Sequence, residues 1–145
     1  MNIVLTPITY DTANIFYSNP IKNNIIENGK FMRIIYSNSF VSLNNILIII
    51  PIILQNDKQY TRYTCHFDPA ANTSALQFVR KMEEELLERS GITHIPPKYS
   101  VTAQLETGQF KYITNYFNKR VYALKISGIC ITDASFFLTF KFIQY

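Results

Sequence analysis

The stretch that most limits this chain is Ile46-Leu47-Ile48-Ile49-Ile50-Pro51-Ile52-Ile53-Leu54. Asn44 and Asn45 precede it, and Gln55, Asn56 and Asp57 follow. It falls far short of the roughly 20 apolar residues that a helix needs to cross a bilayer. The stretch must therefore be hidden inside the protein's own core. Its β-branched content and short length predict a central strand rather than a helix. Pro51 donates no ladder hydrogen bond, so a bulge or an edge is expected there.

A buried strand needs neighbours, and the sequence supplies alternating segments. In Lys30 to Tyr36, Phe31, Arg33 and Ile35 share one face, and Met32, Ile34 and Tyr36 the other. Gln59 to Cys65 alternates too, with Tyr60, Arg62 and Thr64 on one side. Lys98 to Leu105 and Gln109 to Ile113 read as a hairpin around Glu106-Thr107-Gly108, and the chain closes on Leu124 to Cys130 and Leu138 to Phe142. The first 28 residues predict a short strand near Ile3 to Leu5 and then irregular structure broken by Pro7 and Pro20. One helix is expected over 74–90. Ala75, Leu76, Val79, Met82, Leu86 and Leu87 follow helical spacing, Ser74 to Gln77 fits a capping box, and Gly91 suits the C′ position. Glu85 and Arg89 stand four apart on it, and Glu83, Glu84 and Glu88 read as a solvated face. The sum is one mainly β domain over 1–145 with one helix. A small barrel is the natural architecture, because closure removes exposed edges.

Composition narrows the function. The chain carries a formal charge of +4, with ten Tyr, eleven Phe and no Trp. Ten Tyr hydroxyls are hard to satisfy in one core, so some rings are expected at the surface. An AT-rich coding composition would raise Ile, Asn, Lys, Tyr and Phe together, and Ile and Asn are abundant here. Cys65 and Cys130 do not make a disulfide framework, and the segment from Met1 to Asp11 has no secretory pattern. Cys65, His66, His94 and Cys130 show no metal-ligand spacing. No nucleophile elbow, phosphate loop or zinc-protease motif occurs. The expectation is an intracellular protein without enzymatic activity, metal, cofactor or membrane segment.

What remains is binding. Basic residues lie along the strands with Tyr close by, and single-strand binding combines cations for phosphates with aromatic rings for bases. The candidates are Arg33, Tyr36, Tyr60, Arg62, Lys111, Lys125 and Lys141. By strict alternation Lys125 shares a face with Ala123, Ser127 and Ile129, against Tyr122, Leu124, Ile126 and Cys130. Lys141 falls with Phe137, Thr139, Ile143 and Tyr145. Whether the two lysines lie on one side of the sheet decides whether they form a site.

The segments KYSVTAQLETGQFKY, LKISGIC and LTFKF, with FMRIIYS and KMEEELLE upstream, resemble small single-stranded-DNA-binding proteins of large eukaryotic DNA viruses, which are similar to those of short-tailed phages. The resemblance spans most of 30–142. It implies an OB-like Greek-key barrel that coats unwound DNA during viral replication, alongside replication proteins, in the nucleus or a cytoplasmic viral factory. Two departures stand out. Cys130 occupies the place where the pattern has Trp, and the chain stops at Gln144-Tyr145 where phage members carry an acidic tail. The competing expectation is a virion or interaction protein that forms homo-oligomers through its Phe-rich C-terminal strand.

Overall fold

The computed structural model describes residues 4–23, 25–53, 63–114 and 121–144. The chain forms a mainly β, barrel-like fold with one main helix. Its strands are β1 (Ile15–Tyr17), β2 (Ile21–Lys22), β3 (Lys30–Ser37), β4 (Ser42–Leu43), β5 (Ile46–Ile50), β6 (Thr64–His66), β7 (Gln109–Thr114), β8 (Tyr122–Ile131) and β9 (Phe136–Gln144). The helices are α1 (Thr73–Arg89) and α2 (Ser100–Glu106). The sheet runs β1-β3-β8-β9-β7-β6, and β5 shares an edge of β8 with β3. All described strand pairs are antiparallel except β7 with β9.

The opening apolar run behaves as its composition dictates. Ile46, Ile48 and Ile50 pack into the core from β5, and the strand stops where Pro51 withdraws its donor. Leu5 bridges alongside, its N–H donating to the Leu47 carbonyl and its carbonyl accepting from Ile49. In β3 the alternation holds, with Met32, Ile34 and Tyr36 inward. These side chains meet Val79, Met82 and Leu86 of α1 and Leu124 and Phe142 of the long β8–β9 hairpin in one cluster. The hairpin turns at 132–135, where the Thr132 N–H donates to the Ser135 carbonyl.

Five local expectations are corrected. Lys98 to Leu105 is not a strand: α2 forms there, burying Val101, Thr102 and Leu105. The spacing of Val101 and Leu105 is as helical as it is extended. What decides is a partner distant in sequence. Glu83, read as solvent-facing, is fully buried and accepts from the Val101 N–H (2.9 Å), the Thr102 N–H (2.9 Å) and the Thr102 hydroxyl (2.7 Å). It satisfies donors that the first turn of α2 leaves without partners. Gly108, at φ +78°, is thus the glycine that ends a helix, its N–H donating to the Leu105 carbonyl.

The capping box at Ser74 does not form. A 3-10 turn, Pro69–Asn72, leads straight into α1, with the Asp68 side chain accepting from the Ala70 N–H. The Asn72 amide instead brackets Ile53, accepting from its N–H at 2.6 Å and donating to its carbonyl at 3.0 Å. Arg89 does not pair with Glu85. It donates to the Thr12 carbonyl, while Glu85 meets Lys81 at 4.0 Å. Finally, the C-terminal strand is not an outermost strand of the sheet: β9 lies between β8 and β7, and β7 pairs with it over Phe142 to Gln144.

Candidate nucleic-acid interface

The face of the sheet turned away from α1 carries the cations. β8 and β9 pair Lys125 with Lys141, and β5 sets Leu47 on the other side of Lys125. The two lysines are direct cross-strand neighbours on one face, which answers the question that alternation left open. Lys141 is exposed and Lys125 half-buried. Arg33 joins the same side: it is exposed on β3 opposite Gly128, which in turn pairs with Thr139. Lys111, exposed on β7, sits one residue before the parallel pairing of Tyr112 with Phe142 begins.

Strict alternation fails in β8 beyond Lys125. A bulge between Ile126 and Gly128 adds one residue, so the faces exchange. Ile129 enters the core, and Cys130 passes to the face of Lys125, opposite Phe137 and Phe31. Cys130, where the resemblance led to a Trp comparison, is therefore buried on the cationic face, with the Asn23 amide donating to its sulfur at 3.5 Å. Burial raises both thiols, Cys65 to about 11, against hydrogen bonds from Tyr122 to Cys65 and from Asn23 to Cys130. Neither is a poised nucleophile.

The bulge also has a tight neighbour. A Cβ on Gly128 would stand 2.3 Å from the Met32 carbonyl oxygen and 2.5 Å from the Phe31 ring. Phe31 lies over this glycine, on the same face of β3 as Arg33.

Tyr rings play a smaller part than composition led one to expect. Tyr36 is a correction: it is buried, and its hydroxyl accepts from the Asp11 N–H (3.2 Å) and the Asn14 amide (3.3 Å) and donates to the Thr9 carbonyl. Its ring is not available to a base. Tyr112 and Tyr122 are buried as well, in edge-to-face contact at 5.2 Å. The Tyr17 hydroxyl donates to the Leu86 carbonyl at 2.6 Å, and burial pushes its pKa up to about 12 against the pull of Arg89. Among the described residues only Tyr63 and Tyr99 are exposed. Tyr60 and Arg62 lie outside the described residues, as does Tyr145.

The sequence missed a cleft. β7 meets β9 only from Tyr112 and Phe142 onward, and Pro97 bridges to Phe136 further back. Between these points the chain forms α2 rather than a strand. Among the described residues no strand pairs with that edge of β9 from Phe137 to Lys141. The gap is an open cleft of about 750 Å³ whose walls include Lys111 and Lys141. Gln104, Gln109, His66 and Phe140 also line it, and no Asp or Glu among the described residues does. Phe140 points to the core side by parity, yet is only half-buried because β7 has not yet closed over it. No pattern in the sequence marks that exposure, because it depends on where α2 ends. Outside the cleft, Lys98 stands over the Phe137 ring with its Nζ 5.9 Å from the centroid.

Among the described residues no three His, Cys, Asp or Glu side chains gather to hold a metal ion, and no helix is long and apolar enough to cross a membrane. Comparison with known proteins finds no matching family model, no matching curated protein and no matching solved structure.

Proposed function

We propose that this protein binds single-stranded nucleic acid through the sheet face carrying Arg33, Lys111, Lys125 and Lys141, in DNA replication of a large DNA virus as the sequence resemblance implies. The observation that carries the reading is the Lys125–Lys141 pair. Like charges directly opposite each other on a sheet destabilise it. The ion pairs Arg80–Glu84 and Lys81–Glu85 lie on α1, and among the described residues no carboxylate pairs with Lys125 or Lys141. A phosphate bridging the two ammonium groups would turn the repulsion into binding energy. The acidic side chains of α1 lie on the other side of the fold, which leaves the sheet face more basic than the chain as a whole. Phe137 with Lys98 above it offers an aromatic surface beside the cations, where bases can stack.

The test is salt-titrated binding to a labelled oligonucleotide, single- against double-stranded. The expected result is a preference for the single strand and a steep fall in affinity with salt. Lys125→Ala and Lys141→Ala should each flatten the log–log slope by about 0.7 to 1. Absence of binding to unpaired DNA at low salt, or slopes untouched by both substitutions, overturns the proposal.

A further inference from the structure

The cleft beside β9 is more than a continuation of the charged face. We infer that it is a pocket for one nucleoside monophosphate unit, with the phosphate held between Lys111 and Lys141 and the base laid on Phe140. The choice of ligand rests on the nucleic-acid reading above, because the two lysines serve both.

The cleft's volume of about 750 Å³ falls in the ordinary range for small-molecule sites. Among the described residues its walls hold two lysines and no carboxylate, so an anion is favoured. Its floor is aromatic. Phe110 stacks on Phe142 with centroids 4.2 Å apart, and Phe142 meets Phe140 edge-on at 5.6 Å. Phe110 and Phe142 are buried, so Phe140 is the one ring of this series that reaches the opening, and its neighbours hold it in place. A planar group stacked there loses little to reorganisation of the protein.

The remaining walls supply hydrogen bonds. The Gln104 amide donates to the Gln109 carbonyl at 2.8 Å, and the Thr107 hydroxyl donates to the Gln104 carbonyl at 2.6 Å, so Gln104 is fixed at the rim. Its side-chain oxygen and the Gln109 side chain remain to meet the edge of a base. An anion joined to a planar, hydrogen-bonding ring is the chemistry of a nucleotide. It is available either as a free mononucleotide or as one unit of a strand.

Backbone amide NMR of the full chain, titrated with deoxyadenosine monophosphate, tests this. Deoxyadenosine and inorganic phosphate serve as partial probes, and a short oligonucleotide as the strand probe. The expected result is saturable shifts at Gln104, Gln109, Lys111, Phe140 and Lys141, with each partial probe binding at least about tenfold more weakly. Phe140→Leu, which keeps the apolar volume, should weaken the monophosphate about tenfold, as expected of a lost stacking partner. If the oligonucleotide shifts the same signals and competes, the source is a strand. If only the monophosphate binds, the pocket inference stands and the single-strand reading fails. If the oligonucleotide binds but the monophosphate gives no saturable shift, or Phe140→Leu changes nothing, the pocket inference fails and the sheet-face reading survives.

Discussion

Glu83→Gln is the substitution that most directly probes how this fold is assembled. The native carboxylate is fully buried and surrounded by donors: Oε1 accepts from the Thr102 N–H and hydroxyl, and Oε2 from the Val101 N–H. Glutamine has the same shape but only one oxygen. Placed to keep both Thr102 contacts, it turns its NH₂ group toward the Val101 N–H. One hydrogen bond is lost, and a buried donor is left facing another donor. An unsatisfied buried group costs about 1–3 kcal/mol. Loss of negative charge at the start of α2 adds about 0.3–1 kcal/mol. The total is about 1–4 kcal/mol, or roughly 4–15 °C in melting temperature for a chain of this size.

Equilibrium urea unfolding followed by far-UV circular dichroism measures the cost. Glu84→Gln is the control, since the Glu84 side chain is nearly half exposed and pairs with Arg80. It should stay within about 0.5 kcal/mol of the parent. A double-mutant cycle of Glu83→Gln with Thr102→Val should give a coupling of about 0.5–3 kcal/mol. Native-state hydrogen exchange at Val101 and Thr102 should speed up more than exchange in β8. If Glu83→Gln matches the Glu84 control and those amides keep their protection, the clamp between α1 and α2 is not what holds α2 in place.

Other consequences can be measured in the same way. Gly128→Ala brings a methyl group against the Met32 carbonyl oxygen, a backbone atom that cannot swing aside, so it should destabilise by about 1–3 kcal/mol. Adding Phe31→Ala should recover only part of that in urea unfolding, and full recovery would show that the ring alone is the obstacle. Tyr36→Phe removes a hydroxyl that serves Asp11, Asn14 and Thr9, and should cost about 1–2 kcal/mol. Oligonucleotide affinity should be unchanged by it, and a loss of affinity at full stability would return Tyr36 to the interface.

What the sequence made legible is what local pattern controls. The Ile46 run, the β3 alternation and the α1 spacing each name their own buried face, because burial at period 2 or 3.6 leaves a mark on consecutive residues. Three features left no such mark, and all three bear on the candidate site. The bulge near Ser127 is one added residue, invisible in composition, yet it exchanges Ile129 and Cys130 between faces. The choice of helix over strand at Ser100–Glu106 is tipped by Glu83, which is distant in the chain. The exposure of Phe140 follows from that choice: α2 shortens the parallel contact of β7 with β9 and leaves the cleft between Lys111 and Lys141. The carboxylate that clamps α2 is thus linked physically to the cationic cleft. Removing the Glu83 clamp should loosen α2, and with it Gln104 at the rim, before it disturbs the Lys125–Lys141 pair anchored in the central hairpin. Glu83→Gln in a chain that stays folded should therefore weaken binding in the cleft while leaving the salt slope contributed by Lys125 intact. Equal loss of both would mean that the cleft and the sheet face are one site and that α2 contributes nothing separate to it.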